Sequence, residues 1–109
     1  MKKPSKTTLR HKCDVLFSKW VRDLGYCEKC GKKTNLQTAH FYSRANLHLR
    51  YDPKNVACLC AGCHLWAHHE PLAFTEWINW HYPNRTDYLR KEKNVIETEF
   101  DWEKKYKEL

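Results

Sequence analysis

The sequences CEKC at residues 27–30 and CAGCHLWAH at residues 60–68 decide the fold of this chain. Each contains two cysteines separated by two residues, a spacing that lets both sulfur atoms reach one metal ion from a single turn. Two such turns supply four thiolates, the complete tetrahedral ligand set of a structural Zn²⁺ ion. The predicted zinc ligands are Cys27, Cys30, Cys60 and Cys63.

The chain contains two further cysteines, and six could form three disulfides. CxxC pairs combined with histidines are more typical of metal ligands than of disulfides. Cys58 lies two residues before Cys60 and could compete with it as a ligand, but Cys60 is preferred because it forms the CxxC pair with Cys63. Cys13 lies in an apolar pattern of helical spacing and is predicted to be a buried free thiol.

Length and charge narrow the classes of function. The chain has 109 residues, the size of one small domain that often needs a staple such as a metal ion. The net charge of +7 favours a polyanionic partner, most simply nucleic acid, over a membrane surface. Because there is no bilayer-length apolar run and no signal-peptide pattern, we expect a single soluble, cytoplasmic domain over 1–109 with no membrane partner.

The order of patterns along the chain predicts an α+β fold. Residues 1–6 are basic and form a predicted arm, and apolar residues at helical spacing predict a helix over 8–24 that Gly25 ends. The zinc-stapled core over 27–68 follows as strand, loop, strand and helix. A C-terminal helical region is predicted over 71–109. The predicted strands span 36–41 and 55–59.

Three histidines and an asparagine lie between and after the cysteine pairs. His64 and His68 are one turn apart on a helix, so their imidazoles can share a cation. His40 ends the first strand and would face that cation across a gap of about one phosphate group, where a neutral imidazole can take a proton from water. Asn55 carries a donor and an acceptor, and is predicted to tie the loop and orient the base.

Each of these residues also has a simpler structural explanation. The HxxxH spacing occurs on solvated, histidine-rich helix surfaces, and His40 could be an ordinary hydrogen-bonded residue at the end of a strand. Asn55 could be a turn residue after Pro53. The complete set, at these intervals and joined to the second CxxC pair, favours a functional site.

With these motifs in place, the segment from Cys27 to His68 resembles an HNH nuclease of the ββα-metal class with a four-cysteine zinc. The resemblance is carried by the two CxxC pairs together with Ala39-His40, Asn55-Val56, Leu59-Cys60, His64 and His68. It implies an HNH core with a structural zinc knuckle, flanked by N- and C-terminal helices, that acts as a DNA endonuclease.

The HNH resemblance also implies a role for each residue of the constellation. His40 would be the general base and Asn55 the residue that orients it. His64 and His68 would bind a catalytic divalent cation such as Mg²⁺ or Mn²⁺. The expected products of phosphodiester hydrolysis carry a 5′-phosphate and a 3′-hydroxyl.

A second resemblance, to the phage NinG/Rap recombination proteins, rests on LFSKWVR at 16–22, TAHFYSR at 38–44 and LRYD at 49–52. Those proteins are associated with recombination and with cutting branched DNA. The similarity implies a phage or prophage protein in a bacterial host, and branched or recombination DNA as its substrate.

One position departs from the HNH pattern. Most HNH nucleases have Asp or His immediately before the general base, as a further ligand of the catalytic metal, whereas this chain has Ala39. Asp52 is the nearest acidic candidate for a third ligand. Water is the alternative, since hard cations readily keep several water ligands.

Basic residues surround the predicted site and could contact phosphates on either side of it. No recognition helix is apparent, so strong sequence specificity is not expected. The predicted DNA-binding residues are Lys32, Lys33, Arg44, Arg50 and Lys54.

Two other functions stay open at this point. The chain could be a non-catalytic, zinc-containing module that binds nucleic acid, and Ala39 favours this alternative. It could also be an interaction subunit whose basic surface binds an acidic protein. If both DNA strands are cut, a homodimer is expected.

Overall fold

A two-stranded antiparallel sheet and the helix that follows it form the centre of the molecule. Strand β1 (Leu36–His40) pairs with β2 (Val56–Cys60), with Leu36 opposite Cys60 and His40 opposite Val56. Helix α2 (Ala61–His69) begins directly after β2. The order of strand, loop, strand and helix is the one that the sequence predicts.

The computed structural model describes residues 4–109, so residues 1–3 of the predicted basic arm lie outside the described residues. Within 4–109 the fold is α+β, with two strands and five α-helices. The helices are α1 (Lys6–Arg22), α2, α3 (Pro71–His81), α4 (Arg85–Glu92) and α5 (Trp102–Glu108). None of them has the length and apolar character that a membrane span requires.

Helix α1 lies two residues earlier than the predicted 8–24. The hydroxyl of Ser5 accepts a hydrogen bond from the backbone N–H of Thr8 at 3.1 Å, which caps the helix before Lys6. The helix ends at Arg22, and Gly25 follows in the left-handed region with φ of +87°. Glycine is favoured there because it has no Cβ to clash, so the predicted stop signal is present.

The sheet separates two apolar clusters. On one face, Ala57 and Leu59 pack with Phe74 and Ile78 of α3. On the other face, side chains of α1 and β2 pack with Tyr51, and Phe100 and Trp102 cover that cluster from the C-terminal segment. Strand β2 is buried along its whole length because both faces are covered. This packing holds the ends of β1 and β2 and the start of α2 in a fixed arrangement.

Candidate functional site

Four sulfur atoms converge where the loop before β1 meets the end of β2. The Sγ atoms of Cys27, Cys30, Cys60 and Cys63 all lie within 4.8 Å of one another. The Sγ atoms of Cys30 and Cys60 are 3.7 Å apart. Sulfurs bound at about 2.3 Å to one tetrahedral ion are about 3.8 Å apart, so the cluster has the dimensions of a structural zinc site.

Backbone amides support the thiolates of this cluster. The N–H of Cys30 points at Cys27 Sγ and the N–H of Cys63 at Cys60 Sγ, each at 3.5 Å. Gly31, with φ of +80°, makes a tight turn directly after Cys30, where glycine is favoured because it has no Cβ. Burial alone would raise the pKa of Cys27, but amide and thiol hydrogen bonds outweigh it and lower that pKa to about 6. The thiolate is the form that binds metal, so the lowered pKa of Cys27 favours metal binding there.

The two remaining cysteines lie outside the four-sulfur cluster. Cys58 is fully buried in the apolar cluster under α1, so the converging four-sulfur cluster contains Cys60 and not Cys58. Cys13 is buried in the same cluster as a free thiol, as predicted.

The first CxxC turn, residues 27–30, is the first knuckle of the cluster. It is attached to the rest of the fold through Glu28, which sequence reasoning missed. Its carboxylate accepts hydrogen bonds from the backbone N–H of Cys58 at 2.6 Å and from the hydroxyl of Tyr82. Its own N–H donates to the Cys58 carbonyl at 2.8 Å. No sequence signal marks this residue, since the positions between paired cysteines tolerate many side chains.

His64 and His68 converge on one point at the surface of α2. Their Nε2 atoms are 3.2 Å apart. Two imidazole nitrogens bound to one ion at about 2.1 Å are about 3.2 to 3.4 Å apart, so the pair has the spacing of cation ligands. His64 Nδ1 contacts the side-chain oxygen of Gln37 at 2.7 Å, which fixes Nδ1 as the donor and leaves the Nε2 lone pair for a cation.

His40 is half-buried at the end of β1. Its Nε2 lies 3.2 Å from the backbone carbonyl of Arg50, so Nε2 carries the proton and Nδ1 is the basic nitrogen. Burial lowers the pKa of His40, and the charges of Arg44 and Arg50 lower it further. The imidazole is therefore neutral at neutral pH, which is the form a general base requires.

Asn55 is fully buried and ties the loop as predicted. Its Oδ1 accepts from the N–H of Tyr42 at 2.9 Å, and its Nδ2 donates to the carbonyls of Tyr42 at 3.0 Å and Leu49 at 3.1 Å. These bonds hold the chain on both sides of the 41–52 loop. Because Leu49 precedes Arg50, they also hold the carbonyl to which His40 donates.

One groove of about 1170 Å³ is lined by all three of these histidines. His40, His64 and His68 all line it, together with parts of α1, β1, α3 and α4. Arg44, a predicted DNA-binding residue, also lines the groove. Arg22 and Arg90 also line it, and sequence reasoning missed them because they come from distant helices. Lys32, Lys33 and Lys54 are exposed but are not part of the groove lining.

Arg50 corrects one prediction. Its guanidinium is only 11 % exposed and pairs with Asp14 of α1, through Nε at 3.0 Å and Nη2 at 2.6 Å. A third bond joins Nη1 to the Arg44 carbonyl at 2.8 Å. Three of its five N–H donors are engaged inside the protein, which supports a structural role for Arg50 rather than the predicted phosphate contact.

In the described part of the chain, no third His, Cys, Asp or Glu side chain joins the histidine pair as a ligand. Ala39 is buried in the core, and among residues 4–109 only the four cysteines form a converging set of three or more ligands. Asp52, the predicted candidate, accepts from the N–H of Lys54 at 2.9 Å and from the hydroxyl of Tyr88. The pair therefore fits a cation whose other positions are open to water or substrate.

Comparison of the chain with protein-family models, with curated proteins and with solved structures found no match.

Proposed function

We propose that this protein is a metal-dependent DNA endonuclease of the HNH type, with branched or recombination DNA as the substrate that the sequence resemblance implies. The observation that supports this most is the shared groove: a neutral His40 and the convergent Nε2 atoms of His64 and His68 line one open cleft. Binding alone requires neither a basic imidazole nor an open cation site.

In the proposed reaction, Nδ1 of His40 takes a proton from a water molecule. The water oxygen attacks phosphorus, the bond between phosphorus and the 3′ oxygen breaks, and the leaving oxygen is protonated by solvent water. A divalent cation on His64 and His68 would supply charge stabilisation for the phosphate and the leaving oxygen. Asn55 and the Arg50 carbonyl keep the His40 ring in the tautomer that this role needs.

The four-cysteine zinc has a supporting role in this proposal. Cys60 caps α2, since its Sγ accepts a hydrogen bond from the Cys63 N–H. His64 follows directly after Cys63. A zinc ion on these cysteines would hold the first turn of α2 against the first knuckle. The position of His64 relative to His40 then depends on the metal-bound knuckles.

The test is nicking of supercoiled plasmid by zinc-loaded protein in Mg²⁺ or Mn²⁺. His40→Ala should lower the rate by about 10²- to 10⁴-fold, because general-base catalysis is lost. The matched control is His69→Ala, an exposed histidine at the end of the same helix that does not line the groove. It should nick like the unmodified protein. Equal nicking by the His40→Ala variant and the unmodified protein would overturn the proposal.

The second candidate is a non-catalytic, zinc-containing nucleic-acid-binding module. It is favoured by the lack of a third protein ligand beside the histidine pair among residues 4–109. This candidate predicts DNA binding without any nicking that depends on His40, so the same plasmid experiment separates the two.

A further inference from the structure

A second, open cavity adjoins the groove. It has a volume of about 430 Å³ and lies between the first half of α1 and the loop that follows β1. Its lining residues are Thr7, Arg10, His11, Asp14, Arg44, Ala45 and Arg50. His11, Asp14 and Arg44 line both cavities, so the two share a rim.

The charges in this second cavity favour an anion. Three guanidinium groups line it against one carboxylate, and that carboxylate already accepts from Arg50 and Tyr51. Arg44 is 61 % exposed and has only a loose contact of 3.6 Å with Asp14, so it can turn toward a ligand. Arg10 is exposed and forms no ion pair or side-chain hydrogen bond with any residue of 4–109.

We propose that this cavity binds a backbone phosphate of the DNA strand that runs through the groove, through Arg10, Arg44 and the ring N–H of His11. The inference rests on the proposed function and extends it, because it assigns the path of the strand along α1. The predicted phosphate contacts Lys32, Lys33 and Lys54 lie outside both cavity linings, whereas His11 lines both cavities and Arg10 lines the second.

The experiment measures the dissociation constant of a fluorescent duplex of about 30 base pairs, in NaCl from about 50 to 300 mM and without Mg²⁺ or Mn²⁺. Zinc-loaded protein is used throughout. Each lost phosphate contact lowers the slope of log affinity against log salt by about 0.9, so Arg10→Gln should have that effect and bind several-fold more weakly at low salt. His11→Gln should weaken binding with a smaller change of slope.

The matched control is Lys107→Gln, which removes one exposed positive charge on α5, away from both cavities. Its slope should stay within experimental error of the unmodified protein. A slope for Arg10→Gln equal to that of Lys107→Gln would overturn the inference, as would a salt-independent affinity of the unmodified protein.

The outcome is independent of the nicking assay. If Arg10→Gln changes the slope but no nicking depends on His40, the phosphate site stands and the nuclease proposal fails. If nicking depends on His40 but Arg10→Gln leaves the slope unchanged, the nuclease proposal stands and this path of the strand is wrong.

Discussion

The four-cysteine cluster and the histidine pair are both arrangements that suit a metal ion, and they differ in what they leave open. The cluster supplies four ligands, two of them buried, and amide N–H groups point at its sulfurs. The pair supplies two nitrogens on the rim of a groove and no third protein ligand among residues 4–109. A closed ligand set stabilises a fold, whereas an open one can accept substrate.

The two regions are also coupled through a single junction. Cys63 ends the second CxxC pair and His64 is the next residue, so the first turn of α2 belongs to both. We therefore expect changes to the four cysteines to affect folding, whereas changes to His40, His64 or His68 should affect chemistry and leave the fold intact.

The largest expected effect is the loss of zinc from the cluster. Apparent zinc affinities of about 10–16 kcal/mol exceed the net stability of many small domains, about 5–15 kcal/mol. Cys27→Ser, or a strong chelator, should therefore unfold the domain, as followed by circular dichroism together with the zinc content. Cys58→Ala should keep one zinc ion per chain, and retained structure after complete zinc removal would contradict the assignment.

A smaller effect on folding is expected from the buried pair between Asp14 and Arg50. Asp14→Ala leaves a guanidinium that is only 11 % exposed without its carboxylate, which should lower the free energy of unfolding by about 3 kcal/mol. The control is Asp23→Ala, which removes an exposed pair with Lys19 and should cost less than about 0.5 kcal/mol. Equal losses in urea unfolding would show that the Asp14 pair is not structural.

The smallest expected effect is on the pH dependence of nicking. The base works only when neutral, and the pKa of His40 is lowered by burial and by the charges of Arg44 and Arg50. The rate should therefore be level above pH of about 7 and fall as pH drops below the ordinary pKa of a histidine, about 6.5.

Arg44→Gln tests the cause of this pH dependence. Removing a positive charge stabilises the imidazolium, so the pKa of His40 should rise and the acid limb should move to higher pH by less than one unit. His69→Ala is again the control, and its acid limb should not move. If the acid limb of Arg44→Gln lies at the same pH as that of the unmodified protein, another group limits the rate.

Much of the core was predictable because it depends on local spacing. The CxxC pairs identify four cysteines that do converge, and Gly25 and Gly31 mark turns with positive φ. The strand–loop–strand–helix order and the tie made by Asn55 also agree with the sequence prediction. Each of these features depends on residues that are close in sequence or joined by the hairpin register.

The features that sequence reasoning missed depend on the packing of distant segments. Arg50 was predicted to bind DNA because it is basic. Its partner Asp14 could not be recognised from the sequence, since it lies 36 residues earlier on α1. Gln37 positions His64 from the neighbouring strand, 27 residues away. A polar side chain reveals nothing about such a partner until the tertiary fold brings the two together, so charge alone was a poor guide to which basic side chains are free to bind a ligand.

The central claim is that His64 and His68 hold a cation in the groove that His40 lines. Anomalous diffraction from crystals of zinc-loaded protein soaked in Mn²⁺, recorded at the Zn and Mn absorption edges, tests it most directly. We expect a zinc signal enclosed by the four sulfurs and a manganese signal close to both Nε2 atoms on the groove side. A crystal with zinc among the cysteines but no manganese at the histidine pair would contradict it.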